Sequence, residues 1–216
     1  MSSEGDREES PYELFVAERL RERKAERLFI DGVAQENFDA VVMALATLRD
    51  SIHGSFGRAL RVASRNRRHS QAFRLDMFNF LVRYGEELRT AAPHDFVLID
   101  FLRAVLPRYT GPAIALFRGE TFMNRKHRSY GFSWSANEKI ARDYAQRENW
   151  RASQGGSVLL KTKAPARAVI CAPALLNNRY GEEEYFVDRR RLTKVVVLER
   201  FSQLSLRDFK APPTVD

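Results

Sequence analysis

Three short segments in the second half of the chain combine charged or hydroxyl side chains with apolar, strand-like sequence. They are 116–120 (LFRGE), 131–135 (GFSWS) and 180–187 (YGEEEYFV). An arginine at the end of a strand offers a planar cation whose several donors match phosphate or carboxylate oxygens. A carboxylate fixed at the start of a strand can stabilise positive charge that exists only in a transition state. Together the three segments are a candidate site for binding an anionic substrate and acting on it.

Each segment also has a purely structural explanation. A strand-terminal arginine is most often a surface or ion-pair residue, and a run of three glutamates is usually a solvated loop. A Ser-Trp-Ser sequence before a helix is typical of a cap followed by a core aromatic residue. The order, spacing and strand context of all three segments in one chain favour a common site.

In this order the segments resemble the mono-ADP-ribosyltransferases of the arginine–serine–glutamate class, a group that includes many bacterial toxins. That family carries an arginine at the end of its first core strand, a Ser-x-Ser on the second strand and a Glu-x-Glu at the start of a later one. The matching features are Arg118, the SWS at 133–135 and the EEE at 182–184. The stretch 130–135, running into the helical sequence 138–145 (EKIARDYA), is especially similar to the bacterial branch.

The resemblance covers about residues 110–205 and implies that the co-substrate is NAD. Cleavage of its nicotinamide–ribose bond passes through an oxocarbenium-like state, which a carboxylate beside the ribose stabilises. The resemblance implies that Glu184 has this role and that Arg118 binds the pyrophosphate and the nicotinamide-side ribose. Gly119 would let the backbone approach the nicotinamide carboxamide. Ser133 would bond Glu184 or the ribose, and Ser135 either contacts NAD or caps the following helix.

The resemblance assigns recognition of the acceptor to the acidic run at 182–184 and to the loop before it. Glu182 lies two residues before Glu184, on the same face of an extended segment. The resemblance implies that Glu182 orients or deprotonates the acceptor, and associates Glu-x-Glu with arginine as that acceptor. We favour Glu184 over Glu183 as the inner residue. Tyr180 either contacts the target protein or is an exposed turn residue.

The elements that must position these residues begin with a helical region. Apolar residues at helical spacing predict helices, with Asp95 as a cap and Pro107 as a stop for the last of them. The predicted helices are 12–28 (charged), 38–48, 55–68 (basic), 73–88 and 96–106. We expect three parts: a mobile tail at 1–10, a helical region at 11–107 that frames the cleft or binds a partner, and a catalytic core at 108–208.

After Pro107 the sequence changes to short strand-like runs separated by Gly, Pro and Asn. The predicted strands are 113–117, 131–135, 157–162, 168–171, 185–187 and 194–198, with a helix at 137–146. This pattern predicts an α+β protein of mainly antiparallel strands preceded by helices. With the resemblance, it predicts a helical region packed on a β-sandwich ADP-ribosyltransferase core.

Composition limits the remaining classes. With 44% hydrophobic residues in 216, the chain can bury a core, and its net charge of +8 favours anionic partners. The lone Cys171 excludes an intramolecular disulfide and a multi-cysteine metal site, and four scattered histidines show no ligand spacing, so we expect no metal. There is no apolar run of membrane-spanning length, and from the first residues, which lack a basic and an apolar region, we expect no classical signal peptide. We expect a protein that is cytoplasmic in its producer or reaches a host or target cell by another route.

The leading hypothesis is a toxin- or effector-like enzyme that transfers ADP-ribose to a protein, most plausibly on arginine. An NAD glycohydrolase would use the same site, with water as the acceptor. A non-catalytic basic module that binds nucleic acid or an acidic partner is the alternative from another class. Its candidate surface comprises Arg58, Arg61, Arg65 and Arg68, extended by Arg67 and Arg74. Expected partners are a target protein and an inhibitor or immunity protein; without aromatic interleaving, nucleic acid is not favoured.

Overall fold

Polar side chains cap three of the five helices described in the first half of the chain. The computed structural model describes residues 10–176 and 183–205, and the chain divides into two units at Pro107/Arg108. In the first unit Ser10 and Glu13 form a reciprocal capping box, while Asn37 and Ser70 cap later helices through their side chains. The helices are α1 Pro11–Ala34, α2 Phe38–Leu48, α3 Ser55–Ala63, α4 Gln71–Ala91 and α5 Asp95–Val105. None of the described helices in the chain combines the length and apolar character needed to cross a membrane.

Two expectations for the helical region are wrong. Helix α3 ends at Ala63 instead of continuing to 68, so Arg65 and Arg68 do not extend a helical face. Helix α5 begins at Asp95, which lies in the first turn, and the capping position is held by His94. The early end of α3 follows from the sequence 64–70 (SRNRRHS), which has no apolar residue to pack a further turn.

The predicted basic surface is also interrupted by internal bonds. Arg58 of α3 binds Glu26 of α1, with Nη2 3.0 Å from Oε2. Arg74 is buried and donates from Nη1 to the carbonyl oxygens of Ala104 at 2.9 Å and Leu106 at 2.6 Å, at the end of α5. These two arginines therefore hold helices together and do not contribute to a continuous basic stripe.

The second unit is built on one antiparallel sheet, and the predicted α+β class is confirmed. Each of the six predicted strands overlaps an observed one. The strands are β1 Ile114–Thr121, β2 Ser133–Ser135, β3 Ser157–Ala164, β4 Val169–Cys171, β5 Glu184–Val187 and β6 Val195–Phe201. Their order in the sheet is β4-β5-β2-β1-β3-β6. The expected sandwich of two sheets is not seen in the described residues, because β1 pairs on both sides and joins all six strands into one sheet.

The two faces of this sheet bury different residues. Leu116, Trp134 and Tyr185 lie on one face in a cluster of buried apolar side chains. Phe117 and Leu159 lie on the other face and pack against helix α7, Glu138–Ala145, which covers parts of β1, β2 and β3. The alternation along β1 thus separates the face that buries Leu116 from the face under α7. The other described helices of this unit are short: α6 Phe122–His127, α8 Glu148–Arg151 and α9 Pro173–Leu176.

Candidate active site

Three neighbouring strands, β5, β2 and β1, bring the predicted site residues together. Ser135 of β2 is the register partner of both Phe117 in β1 and Glu184 in β5. The site is therefore assembled at the centre of the sheet from segments that are distant in sequence.

A side-chain hydrogen bond in the site joins β2 to β5. The Ser133 hydroxyl donates a hydrogen bond to Oε1 of Glu184. Strand alternation places Ser133, Ser135 and Glu184 on the same face, and Ser133 is diagonal to Glu184 across the strand pair. The hydroxyl thus fixes one oxygen of a half-buried carboxylate.

Arg118 is held from three sides. Its Nε donates to Oε2 of Glu120 at 2.8 Å, and Nη1 donates to the backbone oxygen of Ser133. Its guanidinium carbon lies 5.6 Å from the centre of the Trp150 ring, in cation–π range. About a tenth of the side chain is exposed. Nη2 has no hydrogen-bond partner within the described parts of the chain.

Gly131 makes room for this guanidinium. A Cβ at residue 131 would lie 2.3 Å from Nη2 of Arg118 and 2.6 Å from its guanidinium carbon. Any larger residue would displace the guanidinium from its present position. The absence of a side chain at residue 131, in the loop before β2, therefore helps to set the position of the Arg118 guanidinium.

Gly119 has a packing role. A Cβ at residue 119 would lie 2.5 Å from the backbone nitrogen of Ala145 and 2.6 Å from the carbonyl oxygen of Ala141, both in α7. Glycine at this position therefore allows α7 to approach β1 closely. This packing role was not predicted from the sequence. Its suggested approach to nicotinamide stays a prediction.

Ser135 is not the cap of α7. Asn137 is the capping residue, and its Oδ1 accepts hydrogen bonds from the backbone N–H groups of Lys139 at 3.0 Å and Ile140 at 3.4 Å. The buried Ser135 hydroxyl oxygen instead accepts the N–H of Asn137 at 3.0 Å. It stabilises the turn from β2 into the helix, beside Glu184.

The two described glutamates of the acidic run point to different partners. Glu183 has φ 46°, in the left-handed region, and its carbonyl accepts the Ala136 N–H at 2.9 Å. Its side chain accepts from Nδ2 of Asn137 at 3.1 Å. Glu184 is therefore the glutamate that contacts Ser133, while Glu183 anchors the chain to the start of α7. Glu182 and Tyr180, like Gly181 between them, lie outside the described residues.

Glu120 is a site residue that the sequence reading missed. It is completely buried and its carboxylate receives Arg118. Burial alone would raise the pKa of this carboxyl, but the charge of Arg118 and the hydrogen bonds from Asn124, Arg118 and Gly131 together lower the pKa below its ordinary value. The available signal was the spacing Arg118-x-Glu120, which places opposite charges on the same face of one strand.

Cys171 lies on β4, next to β5 in the sheet, and its thiol is not expected to react at neutral pH. Burial raises the pKa of its thiol to about 12, and the charge of Glu184 acts in the same direction against a hydrogen bond from Ala172. A thiol with that pKa is not a nucleophile at neutral pH. In the described ranges, no group of three or more His, Cys, Asp or Glu side chains is placed to hold a metal ion.

Comparisons with known proteins found no matching family model, no matching curated protein and no matching solved structure.

Proposed function

We propose that this chain is an NAD-dependent mono-ADP-ribosyltransferase, toxin- or effector-like, that modifies a protein on arginine. The observation that supports this proposal most directly is the convergence of Arg118, Ser133 and Glu184 from three adjacent strands, with the serine bonded to both charged residues. Ser133 links the two charged residues through different atoms, its carbonyl oxygen to Arg118 and its hydroxyl to Glu184, and a cation, a hydroxyl and a carboxylate are the groups that cleavage of the nicotinamide–ribose bond would use.

Glu184 would supply the charge that the transition state needs. As nicotinamide leaves, positive charge spreads over the ribose ring, and a fixed carboxylate beside the ring stabilises that charge without reorganising. The Ser133 hydroxyl holds one carboxylate oxygen in place. Strand β5 fixes the backbone of Glu184, since its register partner is Ser135.

Arg118 would bind the anionic part of the dinucleotide. Its Nε and Nη1 are occupied within the protein, so the donors on Nη2 remain for oxygens of the pyrophosphate or ribose. A guanidinium whose position is fixed in advance loses little freedom when it binds such a ligand.

The proposal is tested by measuring nicotinamide release from NAD and transfer of labelled ADP-ribose to proteins of a host lysate. We expect Glu184→Gln to lower turnover at least about 10²-fold, as loss of a preorganised electrostatic group does. Glu183→Gln is the matched control, because it changes the adjacent carboxylate identically, and we expect it to retain activity. A Glu184→Gln variant as active as the parent would refute the proposal.

The same assay separates the alternatives. Nicotinamide release without labelled protein would assign the site to an NAD glycohydrolase. Salt-dependent binding of nucleic acid without nicotinamide release would assign the chain to the non-catalytic basic modules.

A further inference from the structure

We propose that Glu120 is a positioning residue that holds Arg118 in the orientation needed to bind the oxygens of a dinucleotide pyrophosphate. The inference rests on the proposed function, because it names the residue that prepares the same site for its anionic substrate. It assigns Glu120 no contact with the substrate; Glu120 acts through Arg118.

Both oxygens of the Glu120 carboxylate are fully engaged. Oε2 accepts from Nε of Arg118 at 2.8 Å and from the backbone N–H of Gly131 at 3.1 Å. Oε1 accepts from Nδ2 of Asn124 at 2.9 Å and from the backbone N–H of Thr121 at 3.0 Å. A buried carboxylate with two donors on each oxygen has one orientation, so it is a rigid support for its partner.

This support determines which donors of Arg118 keep no partner among the described residues. Glu120 accepts from Nε, the Ser133 carbonyl accepts from Nη1, and the guanidinium carbon lies over the Trp150 ring, 5.6 Å from its centre. Nη2 is left without a partner in the described residues. The protein thus orients a planar cation before any ligand arrives, and a ligand oxygen meets a donor that needs no rearrangement.

Stability alone does not explain a buried pair of this kind. Removing two charges from water costs free energy that their attraction often fails to repay, and apolar residues of similar volume frequently stabilise a fold as well. A glutamine could not replace Glu120 either, because its NH₂ group would face two of the four donors. An ionised carboxylate is the group that fits both the donor set and the orientation of Arg118.

The test is a double-mutant cycle read by the affinity for ADP-ribose, which requires no turnover. We expect Glu120→Gln to weaken binding roughly tenfold in the parent and to have no further effect in the Arg118→Lys background. A merely structural role of Glu120 would give independent, additive losses. Asp188→Asn is the matched control: it removes another completely buried carboxylate bound by arginines, and we expect it to leave ADP-ribose affinity unchanged.

Thermal unfolding of each variant establishes that it is folded. Should Glu120→Gln not fold, Asn124→Ala replaces it in the cycle, because it removes one donor from Oε1; we expect a loss of about threefold that also vanishes with Arg118→Lys. An unchanged affinity, or a loss that persists with Arg118→Lys, overturns the role of Glu120 while leaving the transferase proposal intact. Tight, Glu120-dependent binding without nicotinamide release would keep the role and overturn the transferase. A parent that does not bind ADP-ribose overturns both.

Discussion

Replacing Gly119 by alanine tests how closely α7 approaches the strand that carries Arg118. The new methyl carbon would lie 2.5 Å from the Ala145 nitrogen, 2.6 Å from the Ala141 oxygen and 2.9 Å from the Ala145 Cα. All three are backbone atoms of one helix, so no side chain can rotate away. The helix itself must move, by about 0.9 Å, to restore an ordinary contact of 3.4 Å.

The expected cost is the balance of two effects. Overpacking a filled interior costs about 1–3 kcal/mol, and a required backbone shift favours the upper end. Alanine would also reduce the freedom of the unfolded chain, which stabilises the protein by up to about 1 kcal/mol. We therefore expect Gly119→Ala to lower the free energy of unfolding of the second unit by about 2 kcal/mol.

Urea unfolding followed by tryptophan fluorescence measures the free energy of unfolding of the second unit. The chain has two tryptophans, Trp134 and Trp150, and both lie in the unit from Arg108 onward. Gly131→Ala is the matched comparison, because the three atoms nearest to its new methyl all belong to the Arg118 guanidinium, a side-chain group. We expect it to cost less stability than Gly119→Ala while weakening ADP-ribose binding.

The result that would refute the reasoning is a Gly119→Ala variant that unfolds at the same urea concentration as the parent. The helix would then be able to shift from β1 without cost, and glycine at this position would need another explanation. A loss of stability equal in the two variants would also contradict it, because displacing one guanidinium group would then cost as much free energy as displacing the backbone of a helix.

Two further predictions concern buried ionisable groups. We expect Cys171 to react with a thiol reagent at pH 8 only after unfolding in urea, since burial raises its pKa to about 12; rapid modification of the native protein would contradict this. The pKa of Glu120 is lowered in the folded state from an ordinary value of 4.5, so its contribution to stability is present above that pH and is lost as the pH falls through the lowered value. Urea midpoints measured at decreasing pH should therefore fall more steeply below about pH 4.5 for the parent than for Glu120→Gln, and parallel curves would oppose the assignment.

The strands could be predicted from sequence because their signals are local. Short apolar runs between Gly, Pro and Asn clusters located all six, and Asn137 marked the start of α7. The basic helix was predicted too long because arginines are good helix formers, whereas the end of α3 depends on the lack of apolar residues after Ala63. The prediction of a two-sheet sandwich differs from the single sheet described above, because apolar runs locate strands without showing which of them pair.

The parts of the site that escaped prediction depend on contacts between distant segments. Glu120 looked like an ordinary residue after Arg-Gly, because its partners Asn124 and Gly131 are brought to it by helix α6 and by the loop before β2. The missing side chain of Gly119 suggests a close approach to a ligand. Its packing role was not predictable from local sequence, because its helix partner, Ala145, is 26 positions further along the chain. A single sequence states which side chains are available, and the strand register decides which of them meet.

The two carboxylates of the candidate site, Glu120 and Glu184, have different surroundings. Glu120 is completely buried with four donors, so it cannot turn towards a substrate without leaving several of them unsatisfied. Glu184 is half-buried at the start of β5, and its bond from Ser133 orients it without enclosing it. A partly exposed carboxylate can reach a substrate, whereas a fully engaged buried one is suited to orienting a cation. These surroundings favour the proposed division of roles, and charge removal at the two positions should damage different steps: substrate affinity at Glu120 and turnover at Glu184.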